Sequence, residues 1–140
     1  MPSKVGVAQY QRLKKAIDEF SGKINGKYGT PFWTPVRYFY RSVDFTILCG
    51  LYYSADIALI TPRRDGMNLV AKEYVAVHQD RPGVLILSEF AGAAQQLRES
   101  IIVNPNDINE MAQAIETALN MPVEEQEARI DPMYKNSSLT

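Results

Sequence analysis

One stretch restricts the possible folds of this chain more than any other. Asp56-Ile57-Ala58-Leu59-Ile60 leads into Thr61-Pro62-Arg63-Arg64-Asp65-Gly66-Met67-Asn68 and then into Leu69-Val70-Ala71-Lys72-Glu73-Tyr74. The nearly unbroken apolar run suits a parallel strand buried on both faces, because a strand with one wet face alternates apolar and polar residues. Pro62 ends the strand, Asp65-Gly66 permits a sharp reversal, and Asn68 is a residue type that caps a helix opening at Leu69. Strand, loop and helix then meet at the carboxyl edge of a sheet, where open α/β sheets place their ligands.

The first N–H groups of such a helix, from about Leu69 to Lys72, have no intrahelical partner, and the helix dipole adds positive potential there. Phosphate is the natural guest. Carboxylates at Asp65 and Glu73 would repel a diphosphate unless each faced the hydroxyls of a sugar instead. A ligand with phosphates in the middle and polyols on both sides satisfies the two acids, and a sugar nucleotide fits that description. On pattern alone, an ordinary corner with Asp65 capping and Lys72 and Glu73 solvated is an equally good reading.

The rest of the chain supplies the layers around this junction. From Val7 to about Ile24, Tyr10, Leu13, Ile17 and Phe20 recur at helical spacing, which predicts an amphipathic helix that packs on a sheet. Gly22 to Pro35 reads as a long connection, with Trp33 plugging the edge of the core. Val36 to Tyr40 reads as a strand. A helix capped by Ser42 or Asp44 is expected up to about Ser54, with Ile47, Leu48, Leu51 and Tyr52 on its apolar stripe. The central strand follows, and the helix after it is expected to run to about His78.

Gln79 to Gly83 is a turn by composition, Val84 to Leu87 a buried strand, and Ala91-Gly92-Ala93-Ala94 the start of a helix. Ile101 to Val103 is the last strand. Asn106 or Asp107 caps a helix with the stripe Met111, Ile115 and Leu119, ending near Asn120. Pro122 begins a short acidic helix. The pattern predicts an α/β fold, a doubly wound parallel sheet of about four strands, in one domain over residues 1–130 with a frayed tail over 131–140.

Charge and cysteine content narrow the function. Lys and Arg number 15 against 16 for Asp and Glu, so no broad attraction to nucleic acid or an anionic membrane is expected. Cys49 is the single cysteine, Met1-Pro2-Ser3-Lys4 lacks the apolar core of a signal peptide, and no apolar run approaches the roughly 18 residues of a membrane helix. The expected setting is soluble and cytoplasmic. His78, the only histidine, is read as a capping or solvated residue, with no metal-ligand cluster to join.

Arg64 to Tyr74 also carries a resemblance. It is similar to the donor-site motif of trehalose-6-phosphate synthases, retaining glycosyltransferases built from two Rossmann-like domains. Ile24-Asn25-Gly26-Lys27-Tyr28-Gly29, Trp33-Thr34-Pro35, Leu85 to Ala94 and Val103-Asn104-Pro105 agree with the family in the same order. The resemblance implies part of the carboxyl-terminal, UDP-glucose-binding domain, with UDP-glucose as donor substrate and neither cofactor nor metal.

Carried over residue by residue, it makes Asp65 the catalytic candidate, in contact with the glucose together with Gly66, Met67 and Asn68. The amides of Leu69 and Val70 would hold the diphosphate, with Ala71 and Lys72 in the same donor-binding turn. Glu73 would bind the ribose hydroxyls, and Val43 and Leu48 would flank the uracil. Lys4 stands where the family commonly has an arginine on the phosphate of glucose 6-phosphate, and lysine lacks the planar fork that grips phosphate twice. Arg63 and Asn106 replace the usual leucine and tyrosine.

Glucose 6-phosphate would bind only with an amino-terminal domain that these residues do not include. The resemblance therefore implies a donor-site portion, inactive alone, that binds UDP or UDP-glucose weakly. Two other classes remain: a non-catalytic module that associates with a complete synthase, and a generic dinucleotide-binding domain. The latter ranks last, because no Gly-x-Gly-x-x-Gly follows an expected strand.

Overall fold

The computed structural model describes residues 4–39, 42–64 and 69–138. They divide into two compact units, Met1–Ser42 and Val43–Thr140, where the sequence led us to expect a single domain and a tail.

The first unit is built on helix α1 (Lys4–Tyr28), which runs straight through Gly22 and Gly26 instead of giving way to a loop. It ends at Gly29, whose N–H bonds to the Asn25 carbonyl at 2.8 Å and where a Cβ would collide with that same oxygen. Thr30 and Trp33 then exchange backbone hydrogen bonds of 2.9 and 3.2 Å around a tight reversal. Trp33 is 58% exposed and plugs no core.

Val36 to Phe39 forms no strand, which corrects the expectation of a fourth one. The Asn25 side chain explains part of this, since its Oδ1 accepts from the Val36 N–H at 2.8 Å and its Nδ2 donates to the Val36 carbonyl at 2.9 Å. A carboxamide has the donor and acceptor of a peptide group, so it takes the place of a ladder partner there.

In the second unit, α2 (Phe45–Ser54) precedes β1 (Ile57–Ile60), followed by α3 (Leu69–Val77), β2 (Val84–Ser88), a short 3-10 helix (Gly92–Gln95), β3 (Ile101–Val103), α4 (Ile108–Leu119) and α5 (Val123–Ser138). The three strands pair in parallel in the order β1-β2-β3, with Ile57 opposite Val84 and Ile86 opposite Ile101. Every residue of the central strand β2 is buried. Its side chains alternate between two cores, as the strand period of two requires. Leu85 and Leu87 join Ala71, Tyr74 and Val75 of α3 and Ile130 and Met133 of α5. Val84 and Ile86 join Val103 of β3 and Ala114 and Ala118 of α4. Helices thus cover both faces, and the fold is a doubly wound α/β sheet of three described strands.

Several local expectations change. Asp44 holds the N-cap position of α2 without a side-chain cap bond, and no residue of α2 is fully buried. Tyr52 does pack against the first core, while Ile47 and Leu51 stay exposed. On α4 the inner face is Met111, Ala114, Ile115 and Ala118, and Leu119 is 70% exposed. Two alanines let the helix approach the sheet closely, which turns the stripe away from Leu119.

Residues 131–138, expected to fray, continue α5 through Pro132. Met133 lies one helical step beyond Ile130 on the same inner face and is fully buried, so apolar burial holds the last turns despite the hydrogen bond that proline forgoes.

The cap of α4 is as expected: Asp107 Oδ1 accepts from the Glu110 N–H at 3.1 Å, and Glu110 Oε1 accepts from the Asn104 N–H at 3.2 Å. Asp107→Ala is expected to cost about 1 kcal/mol in urea unfolding. An unchanged midpoint would show that this cap contributes nothing.

Candidate functional site

β1 carries the chain to the carboxyl edge of the sheet at Ile60, and α3 opens at Leu69. Between them, Asp65, Gly66, Met67 and Asn68 lie outside the described residues. At the start of α3, the amides of Leu69 and Val70 have no partner within the helix by position. Their side chains are open, 60% and 42% exposed, while Ala71 is buried against the sheet. A helix start that follows a strand at the carboxyl edge of a sheet is a position that suits an anion.

Glu73 is half-buried, which argues against the solvated reading. It faces Tyr52 of α2. Burial raises the Tyr52 phenol above its usual 10.0, and the nearby Glu73 carboxylate raises it further. Val43 and Leu48, the uracil candidates, are also half-buried, Val43 before α2 and Leu48 within it. The second unit therefore holds Val43, Leu48, Leu69, Val70, Ala71, Lys72 and Glu73. Lys4, at the first position of α1, belongs to the other unit.

The other end of α3 is fastened by a polar cluster that sequence reasoning missed. His78 is 2% exposed, so it is neither solvated nor a surface cap. Its Nε2 lies 2.6 Å from the Tyr52 carbonyl and its Nδ1 3.0 Å from the Arg81 carbonyl. A neutral ring satisfies one of these oxygens and a protonated ring both. Tyr74, one turn earlier, donates its hydroxyl to the Ala55 carbonyl at 2.8 Å and packs its ring 4.2 Å from that of His78, centroid to centroid. The two carbonyls from the end of α2 are thus held by Tyr74 of α3 and by His78, the residue that follows α3.

A signal for this was present. Ala71, Tyr74, Val75 and His78 stand at i, i+3, i+4 and i+7, the spacing of a buried helix face.

Burial pushes the Tyr74 phenol up to about 12, with the Asp56 carboxylate adding to the rise. The folded state therefore keeps a proton that the unfolded chain releases near pH 10. The stabilisation is fully present below pH 10 and is lost as the pH rises through about 12. Unfolding free energy is expected to fall across that interval, and less so in Tyr74→Phe. Identical alkaline limbs in the two proteins would refute this.

A cavity of about 270 Å³ beside His78, Arg81 and Glu127 opens at the amino edge of the sheet, where β2 begins. That is the wrong edge for the α/β ligand rule, so size does not make it the site. Among the described residues, no group of three or more His, Cys, Asp or Glu is placed to hold a metal ion. No helix among them is long and apolar enough to cross a membrane.

The family model for glycosyltransferase family 20 matches residues 1–138. The chain belongs to glycosyltransferase family 20. Among curated relatives, the bifunctional trehalose-6-phosphate synthase/phosphatase of Thermoproteus tenax is 51% identical over 96% of this chain and 18% of its own length. The UDP-forming α,α-trehalose-phosphate synthase of Schizosaccharomyces pombe is 46% identical over 96% of this chain and 26% of its own.

Among solved structures, trehalose-6-phosphate synthase of Burkholderia multivorans superposes with a TM-score of 0.88 at 42% identity, covering 99% of this chain and 30% of that one. The Escherichia coli protein bound with UDP-2-fluoro glucose gives 0.90 at 43% identity, covering 98% and 31%. This family 20 chain therefore spans less than a third of the length of these relatives. The neighbouring structures also agree with its doubly wound α/β sheet.

Proposed function

We propose that this family 20 chain carries the donor subsite of a UDP-forming α,α-trehalose-phosphate synthase, moving glucose from UDP-glucose to glucose 6-phosphate with retained anomeric configuration. The observation that carries the reading is the position of the α3 start, after the carboxyl end of β1, with Glu73 half-buried one turn further on. Support comes from the 0.90 superposition on a relative bound with a UDP-glucose analogue.

In this reading the Leu69 and Val70 amides receive the diphosphate, Glu73 the ribose hydroxyls, and Val43 and Leu48 the uracil. Asp65, Gly66, Met67 and Asn68 contact the glucose, and Ala71 and Lys72 complete the turn. As the sugar becomes cation-like, negative charge grows on the departing diphosphate. N–H donors fixed at a helix start then stabilise the transition state more than the ground state. No covalent nucleophile is required, and no cofactor enters.

Glucose 6-phosphate needs contacts beyond these 140 residues, with Lys4 as one cation for its phosphate. By themselves they bind UDP or UDP-glucose without transferring glucose, and the cytoplasm is the proposed setting. Calorimetric titration of the chain with UDP, UDP-glucose and NAD tests the reading. Heat with the two uridine nucleotides and none with NAD is expected. Binding of NAD without UDP would overturn it.

A further inference from the structure

The proposed donor subsite is divided between two helices. Val43 and Leu48, the uracil side, stand before and within α2, whereas Leu69, Val70 and Glu73, the diphosphate and ribose side, stand on α3. The distance between base and phosphate contacts is therefore set by how α2 lies against α3, and not by either helix alone. Both run from the carboxyl to the amino edge of the sheet, since α2 leads into the start of β1, and α3 leads from the end of β1 towards the start of β2. Packed helices can slide by about 1–2 Å along each other. Apolar burial does little to stop α2 from doing so: no residue of it is fully buried, and Phe45, Ile47, Leu51 and Tyr53 are exposed.

Polar ties fix the register instead. The last carbonyls of a helix take donors from outside its regular ladder. At the end of α2, the Ala55 carbonyl accepts from the Tyr74 hydroxyl at 2.8 Å, and the Tyr52 carbonyl has His78 Nε2 2.6 Å away. Neither group can follow a sliding helix, because both are buried, their rings pack 4.2 Å apart between centroids, and His78 Nδ1 stands 3.0 Å from the Arg81 carbonyl. A sideways shift of about 2 Å would stretch the 2.8 Å bond to about 3.4 Å and tilt it by about 35°, the edge of the usable range. Tyr52 and Ala55 are three residues apart, so the ties lie on one side of α2 and also stop it from rolling about its axis. Leu48, one turn before Tyr52, shares that side.

We propose that Tyr74 and His78 are positioning residues for the donor: by tying the end of α2 to α3 they fix where Leu48 stands relative to Glu73, and so select uracil among bases joined to the same ribose diphosphate. When a tie is lost, α2 spends part of its time displaced, and a ligand that needs it in place binds in proportion to the competent fraction. A nucleotide whose base makes no use of the uracil position loses nothing. The inference rests on the donor-subsite reading and adds to it two residues that touch no ligand.

The test is calorimetry on the whole chain with UDP and with ADP, which has the same ribose and diphosphate and a different base; weak ADP binding is read as displacement of UDP. Tyr74→Phe removes one hydroxyl and keeps the ring. It is expected to weaken UDP binding by about 3- to 10-fold, the range of one lost hydrogen bond, and to leave ADP binding unchanged, so that the preference for UDP falls by the same factor. His78→Leu is expected to act in the same direction. His78→Gln, whose carboxamide N–H can take the place of Nε2, is expected to recover UDP affinity to within about twofold of the unmutated chain.

A merely structural role would lower affinity equally for both nucleotides. That result, an unchanged UDP affinity in Tyr74→Phe, or a His78→Gln chain no better than His78→Leu would overturn the proposal while leaving the subsite reading intact. Failure of the unmutated chain to bind UDP would overturn the subsite reading, and the positioning role with it.

Discussion

Gly83→Ala is expected to destabilise the second unit by about 2–3 kcal/mol, an overpacking cost at the upper end of its usual range. The reason is space, since no glycine among the described residues has a positive φ. A Cβ at Gly83 would stand 2.6 Å from His78 Nδ1, 2.6 Å from the Tyr74 hydroxyl and 2.8 Å from His78 Cε1. Neither neighbour can yield cheaply. Both are buried, and each is tied to a carbonyl at the end of α2. Relief would mean breaking one of those bonds inside the protein, where an unpaired carbonyl is costly.

The contrast is Gly22→Ala, in the middle of α1 with nothing within 4 Å, where the change should stabilise by about 0.5–1 kcal/mol. Urea unfolding followed by circular dichroism measures both. A Gly83→Ala midpoint equal to that of the unmutated chain would contradict the close packing of α2, α3 and the turn before β2.

Glu73→Ala is expected to weaken UDP binding by about 1–3 kcal/mol, or about 5- to 150-fold, through loss of charge-assisted hydrogen bonds to the ribose. The helix itself should survive, because alanine is a good helix former and Glu73 is off the buried face of Ala71, Tyr74 and Val75. Glu127→Ala, on the exposed side of α5 at the amino edge of the sheet, removes the same charge away from the subsite and should leave affinity unchanged. Affinity for UDP that is equal in Glu73→Ala and the unmutated chain would remove the ribose role and weaken the donor reading with it.

Much of the fold was legible from periodicity. β1, β2, β3, α3 and α4 lie within a residue or two of their expected bounds, because nearly unbroken apolar runs and the Asp107 cap are local signals. Val36 to Phe39 misled for a physical reason: strand propensity describes a residue on a pleated surface, and no neighbouring strand supplies that surface among the described residues. α5 misled in the other direction. Its place at the end of the sequence suggested fraying, but Ile130 and Met133 reach the core from one face.

The family was the most legible part of the motif. On pattern alone the residue types between Asp65 and Glu73 suited a phosphate with polyols beside it no better than an ordinary corner, and the match to family 20 over residues 1–138 agrees with the family resemblance that those residues carry.

What the sequence determined alone was therefore the strand and the helix start on either side of the junction, and the family, since a strand and a helix start are set by neighbours a few residues apart. What only the tertiary structure decided was how that junction is supported. His78, Tyr74, Gly83 and the end of α2 come from separate stretches, and the hydrogen bonds and close contact between them exist only once α2, α3 and β2 have packed. Burial converts a histidine that looked solvated into a structural fastening, because a polar ring enclosed by the protein must find its partners there and not in water.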